Sequence, residues 1–340
     1  MNIINMNLGE NSYTIRVGSG LLADADKYLN LERKVFILTD DGVPDKYAKK
    51  IEILCKNAII HTVSQGEGSK SISTLEGVLS AMADAELGRG DCLVAVGGGV
   101  VGDLGGFAAS IYMRGIDFYN VPTTLLSQVD SSIGGKTAVN LGGIKNIVGS
   151  FKQPKAVLID PEVLSTLPKR HLRNGLCEAI KMAATSNASL FEMMESMSEN
   201  EIFDNVENII VEALKIKKSV VEADEKEGGL RKILNFGHTL GHGIEANEEL
   251  CGLYHGECVA LGMLPLAEGE ARIRLKALFE KVSLPTRYTG DIIAALNYIS
   301  HDKKCSNGML STIVCNRIGS CQIKTINVDD FKKIVLKYYI

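Results

Sequence analysis

The sequence predicts an α/β first domain with a parallel, Rossmann-like sheet, followed by an all-α, or at least mainly helical, second domain. Short apolar runs alternate with stretches of helical spacing through the first half of the chain, and a glycine cluster follows one of those runs. Beyond Pro168 the spacing is mostly helical. Because parallel strands need crossover helices, the alternation indicates a doubly wound sheet. We place the domain boundary near Pro168, which gives domains of residues 1–168 and 169–340.

Each element of the first domain is predicted from a local pattern. Asn11–Gly18 predicts an edge strand, and Lys34–Asp40 predicts a buried strand that ends in a carboxylate. The other predicted strands are Ala58–Val63, which we expect to be buried, Asp91–Val96, a strand from Phe118 that ends in two threonines, and Ala156–Asp160. The predicted helices are Pro44–Lys56, Ser73–Leu87 with Gly88 as its cap, and Val100–Met113.

Helical spacing dominates the second domain. The predicted helices are His171–Ser186, Glu201–Ala223, Asp291–Ser300 and Val328–Tyr338. Between the last two, Leu310–Thr325 predicts a hairpin around the turn at Arg317–Ser320.

The composition limits the classes of partner. The chain has 340 residues, of which 45% are hydrophobic and 23% are charged, and its net charge is −4. So small a charge predicts no nucleic-acid or membrane partner, and the sequence shows neither a signal peptide nor a long apolar run. The 8 cysteines are scattered without a CxxC pair, which is typical of reduced thiols. We expect a cytoplasmic protein with a small-molecule ligand.

Three features of the first domain predict a nucleotide-binding crevice. Asp40 ends one strand, the polar loop 64–70 follows the next, and Gly97–Gly99 follows the third. Ligands of doubly wound sheets bind at the carboxyl ends of the strands, where glycine-loop amides bind pyrophosphate and a carboxylate binds ribose. The strict GxGxxG fingerprint is absent, so a tight strand-to-helix turn that serves only packing explains the glycines equally well.

A second set of polar residues follows the predicted strand at Phe118. It comprises Asp130, Lys136, Lys145 and Asn146. Lysine and asparagine side chains near strand ends bind phosphate and carboxylate oxygens. A lone lysine is usually a solvated surface residue, but the neighbouring Gly134-Gly135 pair favours a functional role for Lys136.

Three of the 6 histidines lie within one short span of the second domain. His238 and His242 are four residues apart and share one face of a helix, while His255 opens a later apolar stretch. Converging imidazoles predict an open catalytic metal site, although surface or capping roles remain the alternative. Glu178 is the best carboxylate to complete the site, and Lys181 lies one turn further on. His242 is then either a fourth ligand or a substrate-binding residue.

A divalent ion that polarises hydroxyl groups beside a nicotinamide would favour oxidation at an alcohol carbon.

Six blocks of the sequence together resemble 3-dehydroquinate synthases, members of the sugar phosphate cyclase superfamily. The blocks are Gly97–Asp103, Pro122–Leu126, Gln128–Asn140, Glu178–Lys181, Leu234–His242 and His255–Glu257. Glycerol and iron-dependent alcohol dehydrogenases share the fold of that family, but they differ after the triple glycine and carry other metal ligands. Sister cyclases that make inosose or valiolone products depart from the block Gly134–Asn140, which is intact here.

The resemblance implies a dehydroquinate synthase-like fold and a carbon–oxygen lyase of the shikimate pathway, which leads to chorismate and aromatic amino acids. The implied reaction converts 3-deoxy-D-arabino-heptulosonate 7-phosphate to 3-dehydroquinate and phosphate. Its implied steps are alcohol oxidation by tightly bound NAD, phosphate elimination with the phosphate as its own base, re-reduction, ring opening and aldol closure. The resemblance also implies zinc or cobalt, and a homodimer.

The resemblance implies a role for each matching residue. Its metal ligands would be Glu178, His238 and His255. Its substrate contacts would be Arg114, Asp130, Lys136, Asn146, Lys181, Lys217, Arg231, Asn235, His242 and Lys303 or Lys304. Of these, we expect Lys136, Asn146, Arg231 and His242 to be catalytic, with His242 assisting proton movement. Its NAD contacts would be Asp40, Glu67, Lys70, Gly98, Gly99, Val100, Asp103, Thr123, Thr124, Lys145 and Thr166.

Two departures from the family pattern lie beside the binding loop. Lys152 stands where the family usually has tyrosine, and Gly142–Ile144 is a slightly altered approach to Lys145. Two other functions fit the same residues: an NAD-dependent polyol dehydrogenase on the same fold, which would release NADH, and an inactive metal-binding homologue.

Overall fold

The chain consists of two compact units, Met1–Pro168 and Lys169–Ile340. The computed structural model describes residues 1–248, 252–299 and 308–340, and the backbone of 305–306. Within these described residues, no helix combines the length and the apolar character needed to cross a membrane.

A seven-stranded sheet forms the centre of the first unit, in the order β1-β2-β9-β6-β5-β3-β4. Strand β1 pairs antiparallel with β2, and every other neighbouring pair is parallel, so the predicted parallel sheet is confirmed. Its strands are β1 (Asn2–Met6), β2 (Tyr13–Val17), β3 (Lys34–Asp40), β4 (Asn57–Val63), β5 (Cys92–Gly97), β6 (Asp117–Pro122) and β9 (Ala156–Ile159). The helices of this unit are α1 (Asp45–Glu52), α2 (Ile72–Asp84) and α3 (Gly99–Ile111).

The sheet has a hydrophobic core on each face. Successive residues of β3 enter different cores: Val35 and Ile37 belong to one cluster, and Phe36 and Leu38 belong to the other. Side chains of a strand alternate between faces, so a strand buried on both faces reads as a continuous apolar run. This is why the run at 34–40 predicted its strand correctly.

Two strand predictions were wrong about position in the sheet. Strand β2 is not an edge strand, because β1 pairs with it on one side and β9 on the other. The sequence analysis had no strand at 2–6, where the alternation is too short to indicate one. Strand β4 lies at the opposite edge and is mostly half-exposed, whereas we expected it to be buried.

The cap predicted for α2 was also wrong. The helix ends at Asp84, and the left-handed position after it is Glu86, with a φ of 53°. Gly88 instead donates its backbone N–H to Asp91 Oδ2 at 2.6 Å, in the turn that leads into β5.

A hairpin that the sequence analysis did not predict completes this unit. Strands β7 (Lys136–Leu141) and β8 (Ile144–Phe151) pair antiparallel. The turn residues Gly142 and Gly143 have φ values of 59° and 77°. A two-residue hairpin turn with positive φ at both positions favours glycine, so the Gly-Gly pair that looked like an altered approach to Lys145 is the turn itself.

The second unit is mainly helical and also contains a three-stranded antiparallel sheet, so all-α describes it incompletely. Its strands are β10 (Cys305–Ser306), β11 (Met309–Arg317) and β12 (Ser320–Asn327), the last two forming the predicted hairpin. Its helices are α4 (Lys169–Ser186), α5 (Ala188–Ser196), α6 (Glu199–Asp204), α7 (Val206–Ala223), α8 (His238–Asn247), α9 (His255–Met263), α10 (Gly269–Lys281), α11 (Ile292–Ile299) and α12 (Val328–Tyr339).

The single helix predicted over Glu201–Ala223 is two helices. Asn205 separates α6 from α7 and leaves the helical region, with φ −100° and ψ 18°. A capping box starts α6 earlier than predicted, because Ser198 Oγ accepts the N–H of Glu201 while the Glu201 carboxylate accepts the N–H of Ser198.

Candidate active site

Glycine allows helices α8 and α9 to pack with their backbones in contact. Gly237 precedes α8 with a φ of 79°, a left-handed conformation that glycine adopts without strain. A Cβ atom at this position would lie 2.6 Å from the carbonyl oxygen of Val259 in α9. The close approach places His238, the first residue of α8, beside His255, the first residue of α9, with ring centroids 5.2 Å apart.

Glu178 faces both histidines from α4. Its side chain is fully buried, and its Oε1 lies 3.8 Å from His238 Nε2 and 3.6 Å from His255 Nε2. One ligand atom from each of the three residues lies within 4.8 Å of the other two. One carboxylate and two imidazoles at this spacing fit a divalent transition metal and leave coordination positions for water or substrate.

Further contacts orient the two imidazoles and set their charge. His238 Nδ1 lies 3.3 Å from the backbone oxygen of Phe236, so a proton on Nδ1 bonds to that carbonyl and Nε2 remains to bind a metal. Burial lowers the pKa of His255, but hydrogen bonds with Glu178 and Glu245 raise it by more, to about 10. A bound cation would replace that proton, because metals bind the deprotonated nitrogen.

His242 lies beside the two histidine ligands. Its ring centroid is 5.4 Å from that of His238 and 5.9 Å from that of His255. His242, Glu245 and His255 form a second group of possible metal ligands, which shares His255 with the first group.

Three buried cationic side chains belong to the same unit. Lys181 is 1% exposed, Lys217 is 4% exposed and Arg231 is 3% exposed. Lys181 forms an ion pair with Glu178 and donates to the backbone oxygen of Leu234 at 2.5 Å. Burying cations costs free energy unless oxygen atoms surround them, so three in one unit favour a role in binding an anionic ligand.

Two polar residues of the segment 230–235, Arg231 and Asn235, donate hydrogen bonds to oxygen atoms of the preceding turn. Arg231 Nη1 donates to the backbone oxygen of Glu225 at 2.5 Å. Asn235 Nδ2 donates to Glu227 Oε1 at 2.6 Å. The resemblance implies that both Arg231 and Asn235 contact the substrate.

In the first unit, the turn between β5 and α3 leads into the N-terminus of a helix. Gly98 is the N-cap of α3, and Gly99 and Val100 begin the helix, whose first-turn N–H groups have no acceptor within the helix and whose dipole favours negative charge. Gly97, one residue earlier, serves packing: a Cβ there would lie 2.6 Å from the Val101 side chain. Packing therefore explains Gly97, and binding of a pyrophosphate by Gly98–Val100 stays a prediction.

Polar residues lie at the carboxyl ends of β3 and β6, the two strands on either side of β5. Asp40 ends β3 and accepts the N–H of Gly42 at 2.9 Å, and burial raises the pKa of its carboxyl group. Thr123 follows β6 and donates its N–H to the backbone oxygen of Gly97 at 2.9 Å. The next residue, Thr124, accepts the N–H of Ser127 on Oγ1 at 3.2 Å.

A hydrogen-bond network joins the loop 64–70 to α3 and to the hairpin β7–β8. The buried Lys70 Nζ donates to Asp103 Oδ2 at 2.6 Å and to Asn146 Oδ1 at 2.5 Å. Glu67 accepts from Asn140 Nδ2 at 2.9 Å, and Asn140 Oδ1 accepts the N–H of Asn146 at 2.8 Å. Four predicted site residues, Glu67, Lys70, Asp103 and Asn146, are thereby connected.

The remaining predicted residues of this unit are spread over several elements. Arg114 is exposed and has a φ of 69°, and Asp130 lies in the π-helical turn Ser127–Ser131. Lys136 is at the exposed start of β7, and Lys145 lies in β8. The hydroxyl of Thr166 lies 2.9 Å from Tyr47 OH. Lys152, the departure from the family pattern, is half-buried, and burial lowers its pKa.

Two predicted substrate residues, Lys303 and Lys304, lie outside the described residues. Two residues that contact the candidate site were not predicted. Asn140 ends a block that matched the family, and its contact with Glu67 depends on the hairpin that was not predicted. Glu245 lies three residues after His242, a helical spacing that places both on one face of α8 and was a signal available in the sequence.

Two family descriptions match consecutive parts of the chain. Residues 60–174 match the 3-dehydroquinate synthase N-terminal family, and residues 175–305 match the 3-dehydroquinate synthase C-terminal family. The chain belongs to the 3-dehydroquinate synthase family. A 3-dehydroquinate synthase of Clostridium acetobutylicum is 41% identical over 96% of this chain and 97% of its own length. One of Streptococcus mutans is 36% identical over 98% of this chain and 99% of its own length.

Solved structures of related enzymes agree with this membership in the 3-dehydroquinate synthase family. A 2-deoxy-scyllo-inosose synthase with carbaglucose-6-phosphate, NAD+ and Co2+ has a TM-score of 0.88 at 26% identity, covering 99% of this chain and 100% of its own. A 2-epi-5-epi-valiolone synthase from Streptomyces hygroscopicus with NAD+ and Zn2+ has the same TM-score of 0.88 at 26% identity, covering 98% of each chain. A probable glycerol dehydrogenase from Sinorhizobium meliloti, with a TM-score of 0.64 at 18% identity over 95% of each chain, shares the fold.

Proposed function

We propose that this chain converts 3-deoxy-D-arabino-heptulosonate 7-phosphate to 3-dehydroquinate and inorganic phosphate, with NAD and zinc or cobalt as cofactors. The observation that carries the proposal is the convergence of Glu178, His238 and His255 in a chain of this family. The NAD+ and Co2+ or Zn2+ of the two related cyclase structures support the choice of cofactors.

The metal would be held by Glu178, His238 and His255. When bound, a divalent cation supplies Lewis-acid polarisation of a substrate oxygen. The fully buried Glu178 carboxylate contributes negative charge to this centre, and Lys181 beside it balances part of that charge. The carbonyl of Phe236 keeps the His238 ring oriented.

Substrate binding in the second unit would rely on its buried cations. Lys181, Lys217 and Arg231 bind the carboxylate, phosphate and hydroxyl oxygens of a phosphorylated sugar acid. Asn235 contributes an amide to the same substrate. His242 holds and transfers a proton near the reacting ring, because an imidazole titrates near neutral pH. One of Lys303 and Lys304 adds a further contact.

The first unit would bind the dinucleotide. The amides of Gly98–Val100 contact its pyrophosphate, and Asp40 accepts hydrogen bonds from a ribose. The proposed contacts that complete this site are Glu67, Lys70, Asp103, Thr123, Thr124, Lys145 and Thr166. From the same unit, Arg114, Asp130, Lys136 and Asn146 would contact the substrate, with Lys136 and Asn146 catalytic.

The chemistry explains why a substrate of this class needs cationic groups around it. Oxidation of the alcohol to a ketone acidifies the neighbouring C–H bond, which makes elimination of phosphate feasible. Bound NAD would supply reversible hydride transfer for this oxidation, and a reaction with no net redox change would form no net NADH. Negative charge develops during elimination, and a preorganised cation such as Arg231 stabilises that charge more than it stabilises the starting substrate.

One assay tests the proposal. The metal-loaded protein is incubated with 3-deoxy-D-arabino-heptulosonate 7-phosphate and NAD, and inorganic phosphate, 3-dehydroquinate and NADH are measured. We expect phosphate and 3-dehydroquinate in equal amounts without net NADH, and loss of both products with a chelator. NADH that accumulates would instead indicate a polyol dehydrogenase. Absence of turnover by the metal-loaded protein would indicate an inactive homologue.

Two further properties are part of the proposal: the protein is a cytoplasmic homodimer, and it has no nucleic-acid or membrane partner. Sedimentation of the purified protein over a range of concentrations tests the dimer, since a constant mass near that of one chain would contradict it. Fractionation of the source cells tests the location.

A further inference from the structure

The two ring nitrogens of His255 face different carboxylates. Nε2 lies 3.6 Å from Glu178 Oε1, and Nδ1 lies 3.5 Å from Glu245 Oε2. The side chain of Glu178 is fully buried, and that of Glu245 is 13% exposed. Each ring nitrogen therefore lies close to a carboxylate oxygen. Either nitrogen could bind a metal while the other carries the proton.

Among the described residues of the second unit, His255 belongs to two groups of possible metal ligands, and the groups would use different nitrogens of its ring. The first group, with Glu178 and His238, is served by Nε2, and the second, with His242 and Glu245, is served by Nδ1. A neutral imidazole has one nitrogen with a lone pair and one that carries a proton. When Nε2 of a neutral His255 ring binds an ion in the first group, Nδ1 carries the proton.

Two observations favour the first group as the place of the ion. Its carboxylate is the more buried one, and Nε2 atoms of both His238 and His255 lie within 4 Å of the same oxygen of Glu178. His238 Nδ1 already faces the backbone oxygen of Phe236, which leaves its Nε2 for the metal.

From this arrangement we propose that Glu245 is a positioning residue: its carboxylate accepts a hydrogen bond from His255 Nδ1–H and thereby holds the ring with Nε2 directed at the metal. The inference rests on the proposed metal site and adds a residue to it. Glu245 lies on α8, two turns after His238, so the helix that carries one ligand also orients the ligand carried by α9. A carboxylate in this position increases the basicity of the imidazole and hence its affinity for a metal.

The test measures metal binding rather than turnover. The dissociation constant for Zn2+ is measured by competition with a chromophoric chelator for the natural sequence, Glu245→Gln and Glu245→Ala. We expect affinity to fall about 10-fold in Glu245→Gln, which keeps an acceptor oxygen but loses the charge, and about 100-fold in Glu245→Ala, which loses both. The visible absorption spectrum of the Co2+-loaded protein should change in Glu245→Ala, because the His255 ring is no longer fixed. Glu280→Gln, at an exposed position on α10, is the matched control and should bind as tightly as the natural sequence.

Unchanged Zn2+ affinity in both Glu245 variants would overturn the proposal. The proposal would also be overturned if the natural sequence bound two ions per chain and Glu245→Ala bound one, because Glu245 would then be a metal ligand itself. Thermal unfolding of the metal-free variants separates a folding defect from a binding defect. If the Zn2+ affinity of the variants falls only in proportion to their melting temperature, the result contradicts the positioning role. A protein that binds metal as expected but makes no 3-dehydroquinate would contradict the proposed function and leave this inference standing.

Discussion

Arg170 and Glu257 are joined by two hydrogen bonds, from Nε and Nη2 to the two carboxylate oxygens, each 2.7 Å long. Glu257 also accepts the N–H of Tyr254 at 2.8 Å, and the Arg170 guanidinium lies 4.1 Å from the centroid of the Tyr254 ring. These contacts surround the first turn of α9, which begins with His255. They therefore help to fix the start of the helix that carries a proposed metal ligand.

Arg170→Ala should lower the free energy of unfolding by about 1 kcal/mol, because it removes a bidentate, charge-assisted pair. The loss stays small because the Arg170 side chain is 47% exposed and solvent screens the pair. Urea unfolding checks this value, with the exposed neighbour Lys169→Ala as the control. A loss no greater than that of the control would show that the pair does not stabilise α9.

Gly256→Ala should damage the metal centre. A Cβ at Gly256 would lie 2.2 Å from the backbone oxygen of Asn174 in α4, and the Gly256 N–H donates to Asn174 Oδ1 at 2.6 Å. Because two backbones meet here, the variant must separate α9 from α4, which costs about 2 kcal/mol and moves His255 away from Glu178. Urea unfolding and Zn2+ titration measure both effects.

A matched substitution tests whether the effect at Gly256 comes from the backbone contact. Gly77 lies inside α2, with no atom within 4 Å of a Cβ built on it. Gly77→Ala should therefore raise the free energy of unfolding by about 0.5–1 kcal/mol and leave Zn2+ affinity unchanged. Equal behaviour of the two alanine variants would refute the contact as the cause.

Lys70→Met should weaken NAD binding at least about 10-fold, since a lost charge-assisted hydrogen bond is worth roughly 1.5–3 kcal/mol. The substitution removes the ammonium group that bonds to Asp103 and Asn146, so the loop 64–70 loses its contacts with α3 and β8. Isothermal titration with NAD measures the change. Zn2+ affinity should stay the same, because the proposed metal ligands belong to the other unit, and the exposed Lys49→Met should bind NAD normally. Normal NAD affinity in Lys70→Met would remove this residue from the site.

The pair Arg173–Glu199 should make stability depend on pH. The hydrogen bond from Arg173, at 2.6 Å, lowers the pKa of Glu199 below its ordinary value of 4.5. A carboxylate with a lowered folded-state pKa stabilises the protein above its unfolded pKa, and this contribution is lost as the pH falls through the folded value. Arg173→Ala should therefore be about 1 kcal/mol less stable at pH 7, and the difference should shrink below about pH 4.5. A difference that is constant from pH 7 to the acid limit would contradict the ion pair.

The sequence predicted those features that depend on local patterns. The two-sided burial of β3 gives a continuous apolar run, and the four-residue spacing of His238 and His242 is a property of one helix, α8. Glu178, from a distant helix, was predicted as the best carboxylate to complete the metal site, and the resemblance to a family, carried by short blocks, implies the same residue.

Features that depend on contacts between distant segments could not be predicted in the same way. Strand β1 is recognisable mainly by its pairing with β2, and β4 reads like an interior strand although it lies at an edge. The contact of Glu245 with His255 joins two helices, and a sequence pattern fixes the face of one helix but not the distance to another. The hairpin turn at Gly142–Gly143 is different, because its Gly-Gly signal was present and was interpreted as a variant loop.

His255→Ala should lose metal and activity together. The variant leaves Glu178 and His238 as ligands, and two ligands hold a divalent ion much more weakly than three, because each remaining bond must offset the same loss of hydration. Metal content after gel filtration and the rate of phosphate release are measured on the same preparation. His61→Ala is the control: this ring stacks on Phe36 in the first unit and belongs to neither group of possible ligands, so metal content should not change. A His255→Ala protein that retains one ion per chain and full phosphate release would refute the metal assignment, and with it the role proposed for Glu245.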